Sequence, residues 1–270
     1  MAGVALRVWW FVCKRLISLV ATLLVASALV FAVLELLPGN AAQVILGDSA
    51  TPEALAALEA KLGLGRPAAT RYLAWIGGLL QGHSAQSISY DVPTFELITQ
   101  RLQVSLPLAL LAMMLTVLIA LSAGIYAAAR HQKLGDVGVM VASQVGMAVP
   151  SFWLAILLIL LFAVKLHWVS AGGFGGWSEA DGGGFWPGLK SLLLPALALA
   201  AVQAAILARV TRSAVLDTLR EDFVRTARAK GLSQRAVLWR HVLRNALIPV
   251  LTVGGLQFAN LIAGTVVVEN

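Results

Sequence analysis

Long apolar stretches alternate with short polar or glycine-rich segments along most of the chain. A helix rises about 1.5 Å per residue, so roughly 20 apolar residues cross the ~30 Å hydrocarbon layer of a membrane. Five segments reach that length, at about Leu16–Leu37, Val104–Ala129, Val137–Val164, Ser191–Ala208 and Ala246–Val268. The second and third exceed the minimum, so tilting or kinking is expected there. Pro107 and Pro195 fall near the starts of the second and fourth, and Pro150 lies inside the third. Membrane helices tolerate proline where neighbours satisfy the freed carbonyl, so these segments stay as spans. Arg7, Lys14 and Arg15 precede the first apolar run, as in a signal peptide. That run is too long for a signal peptide's apolar region and no A-x-A site closes it, which predicts a retained signal-anchor helix.

Charge orients the spans. The bases before the first span have no acidic counterpart, which predicts a cytoplasmic N-terminus. Alternation then puts residues 38–99 outside, where Asp48, Glu53, Glu59, Asp91 and Glu96 outnumber Lys61, Arg66 and Arg71. Residues 130–136 fall inside, with Arg130 and Lys133 against Asp136, and residues 165–190 fall outside. Residues 209–245 fall inside with nine bases and only three acids. That loop supplies most of the net charge of +7. Composition agrees: 59% of the 270 residues are hydrophobic, 12% are charged and the mean hydropathy is +0.85. These values exclude a disordered chain and weigh against an ordinary soluble domain. Cys13 is the only cysteine, which excludes a disulfide scaffold. The expected fold class is an all-α polytopic membrane protein.

The outer loop carries helix signals of its own. Pro38-Gly39-Asn40 is a turn signal, and Thr51-Pro52-Glu53 reads as N-cap, first-turn proline and first-turn acid. Leu55, Leu58 and Leu62 keep helical spacing up to Gly63, and a second amphipathic piece covers about Thr70–Leu80. This predicts a small helical subdomain on the membrane surface, serving as interfacial padding with aromatic anchors or as a docking surface. The second outer loop has Gly172-Gly173-Phe174-Gly175-Gly176-Trp177 and Gly182-Gly183-Gly184-Phe185-Trp186-Pro187. Without a following Lys-Ser/Thr it is no phosphate cradle, and it reads as a flexible connection hugging the interface.

The basic loop is the most informative stretch. Two helices are expected on either side of Gly231, a glycine suited to the left-handed position after a helix end. In the first, Leu216, Leu219, Phe223 and Ala227 form one apolar stripe, with Arg220, Arg225 and Arg228 elsewhere. Ser233 is placed to cap the second helix, with Leu232 and Val237 as a hydrophobic staple. The result is a helix–glycine–helix elbow whose short amphipathic helix lies parallel to the membrane. It suits insertion into a groove on a cytoplasmic partner, or contact with anionic headgroups of the lipid bilayer. A membrane loop without a recognition motif gives no case for nucleic acid.

From these residues the chain resembles a known family. The run Glu221-Asp-Phe-Val-Arg-Thr-Ala-Arg-Ala-Lys-Gly-Leu-Ser233, followed by Arg240-His-Val-Leu-Arg-Asn-Ala-Leu-Ile-Pro249, is similar to the permease signature of the dipeptide/oligopeptide/nickel class of ABC importers. The likeness continues through Thr252–Gln257 and Gly264–Glu269, with weaker echoes at Leu37–Asn40, Leu62–Pro67 and Pro150–Trp153. It implies a type I importer transmembrane domain in a bacterial inner membrane, with a sixth span following Asn270. Its organisation would be a first helix over 1–37, an outer helical loop over 38–99, and a transmembrane core over 100–270. It also implies a second homologous permease, two ABC ATPase subunits holding ATP and Mg, and an external substrate-binding protein. The positions matching the ATPase-coupling segment are Arg225, Thr226, Ala227, Arg228, Ala229, Lys230, Gly231 and Leu232. Where the general motif begins Glu-Ala-Ala, this chain has Arg225-Thr226-Ala227, as is usual in the peptide class. Gly82-His83-Ser84-Ala85 stands where the family usually carries Gly-Asp-Leu-Gly. The implied substrates are short peptides first, with a nickel or other metal–chelator complex or glutathione as the alternative.

Two other classes compete with the importer. A secondary transporter usually carries ionisable residues at mid-membrane, whereas these spans offer mainly Gln144, Gln203, Gln257 and Asn260, with Glu35 near a span end. Those four are candidate path residues or interhelical hydrogen-bonding groups. A membrane enzyme lacks support: His83, His131, His167 and His241 are scattered over separate loops, no metal set has the right spacing, and no catalytic residue is assigned. The chain has no Gly-x-x-x-x-Gly-Lys-Ser/Thr loop, so ATP hydrolysis is expected in a separate subunit.

Overall fold

The computed structural model describes residues 2–36, 41–47, 51–83, 86–87, 90, 92–169, 173–179 and 182–269, with side chains at these positions except 2–6, 41, 44, 45, 61 and 263–269. The Pro38-Gly39-Asn40 turn and parts of both outer loops, including Ser84, Ala85 and Gly172, lie outside the described residues. No strand occurs among the described residues, and the chain divides into two compact units, 1–99 and 100–270.

In the first unit, α1 runs Ala2–Leu36, α2 Ala41–Leu46, α3 Pro52–Leu62 and α4 Ala68–Leu80. The capping chemistry of α3 is as its sequence indicates. Thr51 Oγ1 accepts the Ala54 N–H at 3.3 Å, and Gly63 ends the helix at φ 66°. Near the end of α1, α4 is fastened by polar and aromatic contacts together. The Tyr72 hydroxyl lies 2.8 Å from Ser27 Oγ, the Phe31 and Tyr72 rings are 5.4 Å apart, and Arg71 pairs with Glu35. The one acid in the first apolar stretch thus serves a helix–helix contact.

The second unit is built around one long helix. Here α5 runs Thr94–Ala129, α6 Leu134–Ala148, α7 Ser151–Leu158 and α8 Phe185–Leu219. The basic loop and last span supply α9 Asp222–Ala229, α10 Gln234–Val237 and α11 Leu243–Glu269. Packing partners of α8 include α6, α7 and α11. It meets α5 through small residues. On α5, Ala112, Thr116, Ala120, Gly124 and Ala128 are buried at four-residue spacing. On α8, Ala196, Ala200, Ala204, Ala208 and Thr211 are likewise buried. Between membrane helices, where lipid competes equally for apolar side chains, small residues allow the close backbone approach that drives packing. A Cβ built on Gly124 would come within 2.6 Å of Thr211 Cβ and 2.7 Å of the Ala208 carbonyl oxygen.

Four described helices are long and apolar enough to cross a membrane, and a fifth crossing results if the bent α6–α7 pair is one span. The kinking expected in the third span, over 137–164, takes the form of a 99° bend at Val149-Pro150. The proline ring disfavours helical backbone at the residue before it, and Val149 is accordingly extended at φ −87°, ψ 123°. A π turn, Ile159–Lys165, then extends α7. The second outer loop also departs from a loose connection. Phe174 and Trp177 pack against the cluster of Leu108, Leu192 and Leu261, and the Trp177 indole donates to the Gln103 carbonyl at 2.7 Å.

Gly124→Val is expected to force α5 from α8 and lower stability by about 1–3 kcal/mol, the usual cost of overpacking. Thermal unfolding in detergent checks this; an unchanged midpoint would contradict the contact.

Candidate functional site

The basic loop begins with a break that the sequence does not announce. One helix was expected up to Gly231, but α8 ends at Leu219 and α9 starts after Glu221, which is extended at φ −65°, ψ 149°. Asp222 then opens α9, where a carboxylate favours the positive helix end. The new helix turns a different face inward from that of a continuous one. Val224 and Ala227 are buried, whereas Phe223, assigned to the apolar stripe, is 40% exposed. The buried pair joins Val215 of α8, Val237 of α10 and Val242, Leu243, Ala246 and Val250 beyond it in one hydrophobic cluster. At about 25 cal/mol per Å2 of apolar surface removed from water, such a seat holds a two-turn helix that would not persist alone.

The end of α9 is closed by backbone bonds on both sides of Gly231. The Gly231 N–H donates to the Arg228 carbonyl at 2.9 Å and the Leu232 N–H to the Ala227 carbonyl at 3.3 Å. This paired pattern needs left-handed backbone, which Gly231 adopts at φ 82°. Two residues later Ser233 Oγ accepts the Ala236 N–H at 3.3 Å and starts α10. The second arm is not a separate helix, however. It passes through a π turn, Leu238–Val242, directly into α11, so one helical rod leads from the elbow into the last span. The wider turn brings Val237 and Val242, five residues apart, toward the same core, and both are fully buried. Val237 therefore sits in the core, while Leu232 stays on the exposed rim.

Everything else on the elbow faces outward. Arg225, Thr226, Arg228, Ala229, Lys230, Gly231 and Leu232 are exposed, and only Ala227 of the coupling segment is buried. The outcome is a basic ridge on a rigid apolar seat.

A second polar cluster lies beside it, at the helix ends beyond the apolar stretches. Arg212 of α8 holds Asp136 at the start of α6 through two bonds, from Nε to Oδ1 and from Nη2 to Oδ2, the latter at 2.7 Å. The Gln132 N–H donates to Asp136 Oδ2 at 2.9 Å, and His131 Nδ1 lies 3.1 Å from Arg212 Nη2. Gln132 is in left-handed backbone at φ 63°. The Arg212 guanidinium beside it holds the Asp136 carboxyl well below the usual carboxylate range, against the opposing effect of burial. In the sequence Asp136 stands only as a counter-charge to Arg130 and Lys133. Its partner lies 76 positions away, beyond any local pattern.

The four polar candidates for a path do not form one site. Gln257 is buried and its Nε2 donates to the Gln203 carbonyl at 3.2 Å, joining α11 to α8. Gln144 and Asn260 are exposed on α6 and α11. Among the described residues no three His, Cys, Asp or Glu side chains converge as a metal site.

Known proteins are similar in sequence over almost the whole chain. The family described as "Binding-protein-dependent transport system inner membrane component" matches residues 120–270, and its N-terminal companion matches residues 8–118. The di/tripeptide transport system permease protein DppB of Pseudomonas aeruginosa (strain UCBPP-PA14) is 38% identical, covering 96% of this chain and 82% of its own length. The dipeptide transport system permease protein DppB of Alkalihalophilus pseudofirmus is 37% identical over 95% of this chain and 82% of its own. The glutathione transport system permease protein GsiC of Salmonella choleraesuis is 38% identical over 96% and 81%. With its apolar helices and seated basic elbow, the chain belongs to the inner membrane permease components of binding-protein-dependent ABC importers.

Proposed function

We propose that this chain is one half of the transmembrane pathway of an importer for short peptides, and that Arg225–Leu232 receives the ATPase subunits on the cytoplasmic side. The observation that carries the reading is the seat of α9. Val224 and Ala227 fix it to the ends of α8 and α11, while Arg225, Arg228 and Lys230 lie exposed where a partner could meet them. A helix held this way transmits a push to the spans as a rigid body, which is what alternating access requires. The excess of bases in residues 209–245 supports placing this loop, and with it the N-terminus, in the cytoplasm.

In this reading a second, similar permease completes the pathway, and two ATPase subunits bind and hydrolyse ATP with Mg. An external binding protein presents the substrate. The relatives named for di- and tripeptide transport support peptides as cargo. The relative named for glutathione supports a second reading in which glutathione is carried, and the two differ in the binding protein rather than in the elbow.

Purification in mild detergent from native membranes, followed by mass spectrometry, tests the assembly. Recovery of a second permease with ATPase subunits is expected; a stable chain recovered alone would contradict the importer reading. Gly231→Pro, or Arg228→Glu with Lys230→Glu, is expected to leave membrane insertion intact and to abolish ATP-driven uptake. Wild-type uptake in either variant would refute the docking role. Gly231→Ala places a Cβ in left-handed backbone, at about 1–2 kcal/mol. Amide exchange over α9 is then expected to speed up about 5- to 30-fold, and unaltered exchange would contradict the Gly231 cap.

A further inference from the structure

Asp136 is the only ionisable side chain among the described residues that is buried. A carboxylate is withdrawn from water at considerable cost unless it is paired and hydrogen-bonded, and Asp136 is both. Apolar packing would join α6 to α8 at least as firmly, so stability alone is a weak reason for a buried pair. A bidentate guanidinium–carboxylate contact supplies direction instead: it fixes rotation and axial register between the two helices.

Its position gives that register a use. Arg212 lies three residues, one helical turn, before Val215, and Val215 shares its hydrophobic cluster with Val224 and Ala227 of α9. Displacement of α9 therefore reaches the last turns of α8 at once. At Arg212 the same helix is tied to the first turn of α6 and, through the Gln132 N–H, to the α5–α6 turn. Further along the α6–α8 seam a Cβ on Gly146 would lie 3.1 Å from Ala205 Cβ, so these helices stay in close contact beyond the pair.

We propose that Asp136 and Arg212 form a transmission latch that passes the displacement of α9 from α8 into α6 and the α5–α6 turn, so that these helix ends move as one body. Both are positioning residues, and the inference rests on the reading of α9 as the ATPase-docking element.

The test uses the assembled transporter with its partner subunits, in a Cys13→Ser background with spin labels at positions 133 and 213. The wild-type pair of positions is expected to keep one distance without nucleotide and after trapping with ATP and vanadate. Arg212→Gln is expected to retain the ATPase subunits and the nucleotide-free distance, but to shift or broaden the distance in the trapped state. Uptake of radiolabelled dialanine per ATP hydrolysed should fall about tenfold, within the usual range of coupling between sites. The charge swap Asp136→Arg with Arg212→Asp should restore a single trapped distance, which a merely space-filling role would not do. A trapped distance in Arg212→Gln identical to wild type would overturn the latch. Should Arg212→Gln fail to assemble, Arg212→Lys keeps the charge and loses the fork; a wild-type trapped distance there overturns the latch equally. Loss of assembly in every variant would overturn it too, leaving a folding clamp. Failure of the docking reading shows separately, as ATPase subunits retained by the Arg228→Glu/Lys230→Glu variant.

Discussion

The closeness of α8 to its neighbours is the constraint on which the second unit depends. Its small residues let α5 approach until Gly124 has no room for a side chain against Ala208 and Thr211. In lipid, where apolar side chains gain little by meeting one another, such contact between backbones is a main source of helix association. Because α8 also packs with α6, α7 and α11, an error in its position would spread to each of them. A helix so enclosed moves as a piece or not at all, since tightly packed interiors transmit strain instead of absorbing it.

The basic elbow turns that rigidity to use. Its two arms end on different spans: α9 follows α8 after a break at Arg220-Glu221, and α10 continues into α11 through the π turn. Val224, Ala227, Val237 and Val242 meet in one cluster, which joins the two arms. The bases of α9 stay exposed outside this cluster, while Val224 and Ala227 hold the seat. Spans nearly bare of ionisable residues, with Glu35 near one end, accord with the same division of labour, in which a separate ATPase subunit supplies the energy.

Local chemistry made much of this legible. Thr51 and Gly63 around α3, and Gly231 and Ser233 at the elbow, announce helix ends because each supplies a group or a backbone conformation that the end requires. The apolar stretches announce the long helices for a similar reason, their length being set by the membrane. What escaped depends on tertiary context. Pro150 is tolerable in a membrane helix, and only the packing of α6 and α7 along α8 decides that it marks a 99° bend. Phe223 and Val224 are adjacent apolar residues, and the extended backbone at Glu221 decides which one turns inward. The π turn at Leu238–Val242 has no sequence signature, and Arg212 finds Asp136 only once α6 and α8 lie side by side.

The central claim is that the exposed ridge of α9 is where energy enters the transporter. A photo-crosslinking scan in native membranes addresses it most directly, with p-benzoylphenylalanine placed in turn at Arg225, Arg228 and Lys230. Leu251 and Leu256, exposed on the apolar part of α11, are the controls. The account expects adducts with an ATPase subunit at the three α9 positions and none at the controls. Absence of such adducts along α9, in a chain that still supports ATP-driven uptake, would contradict it.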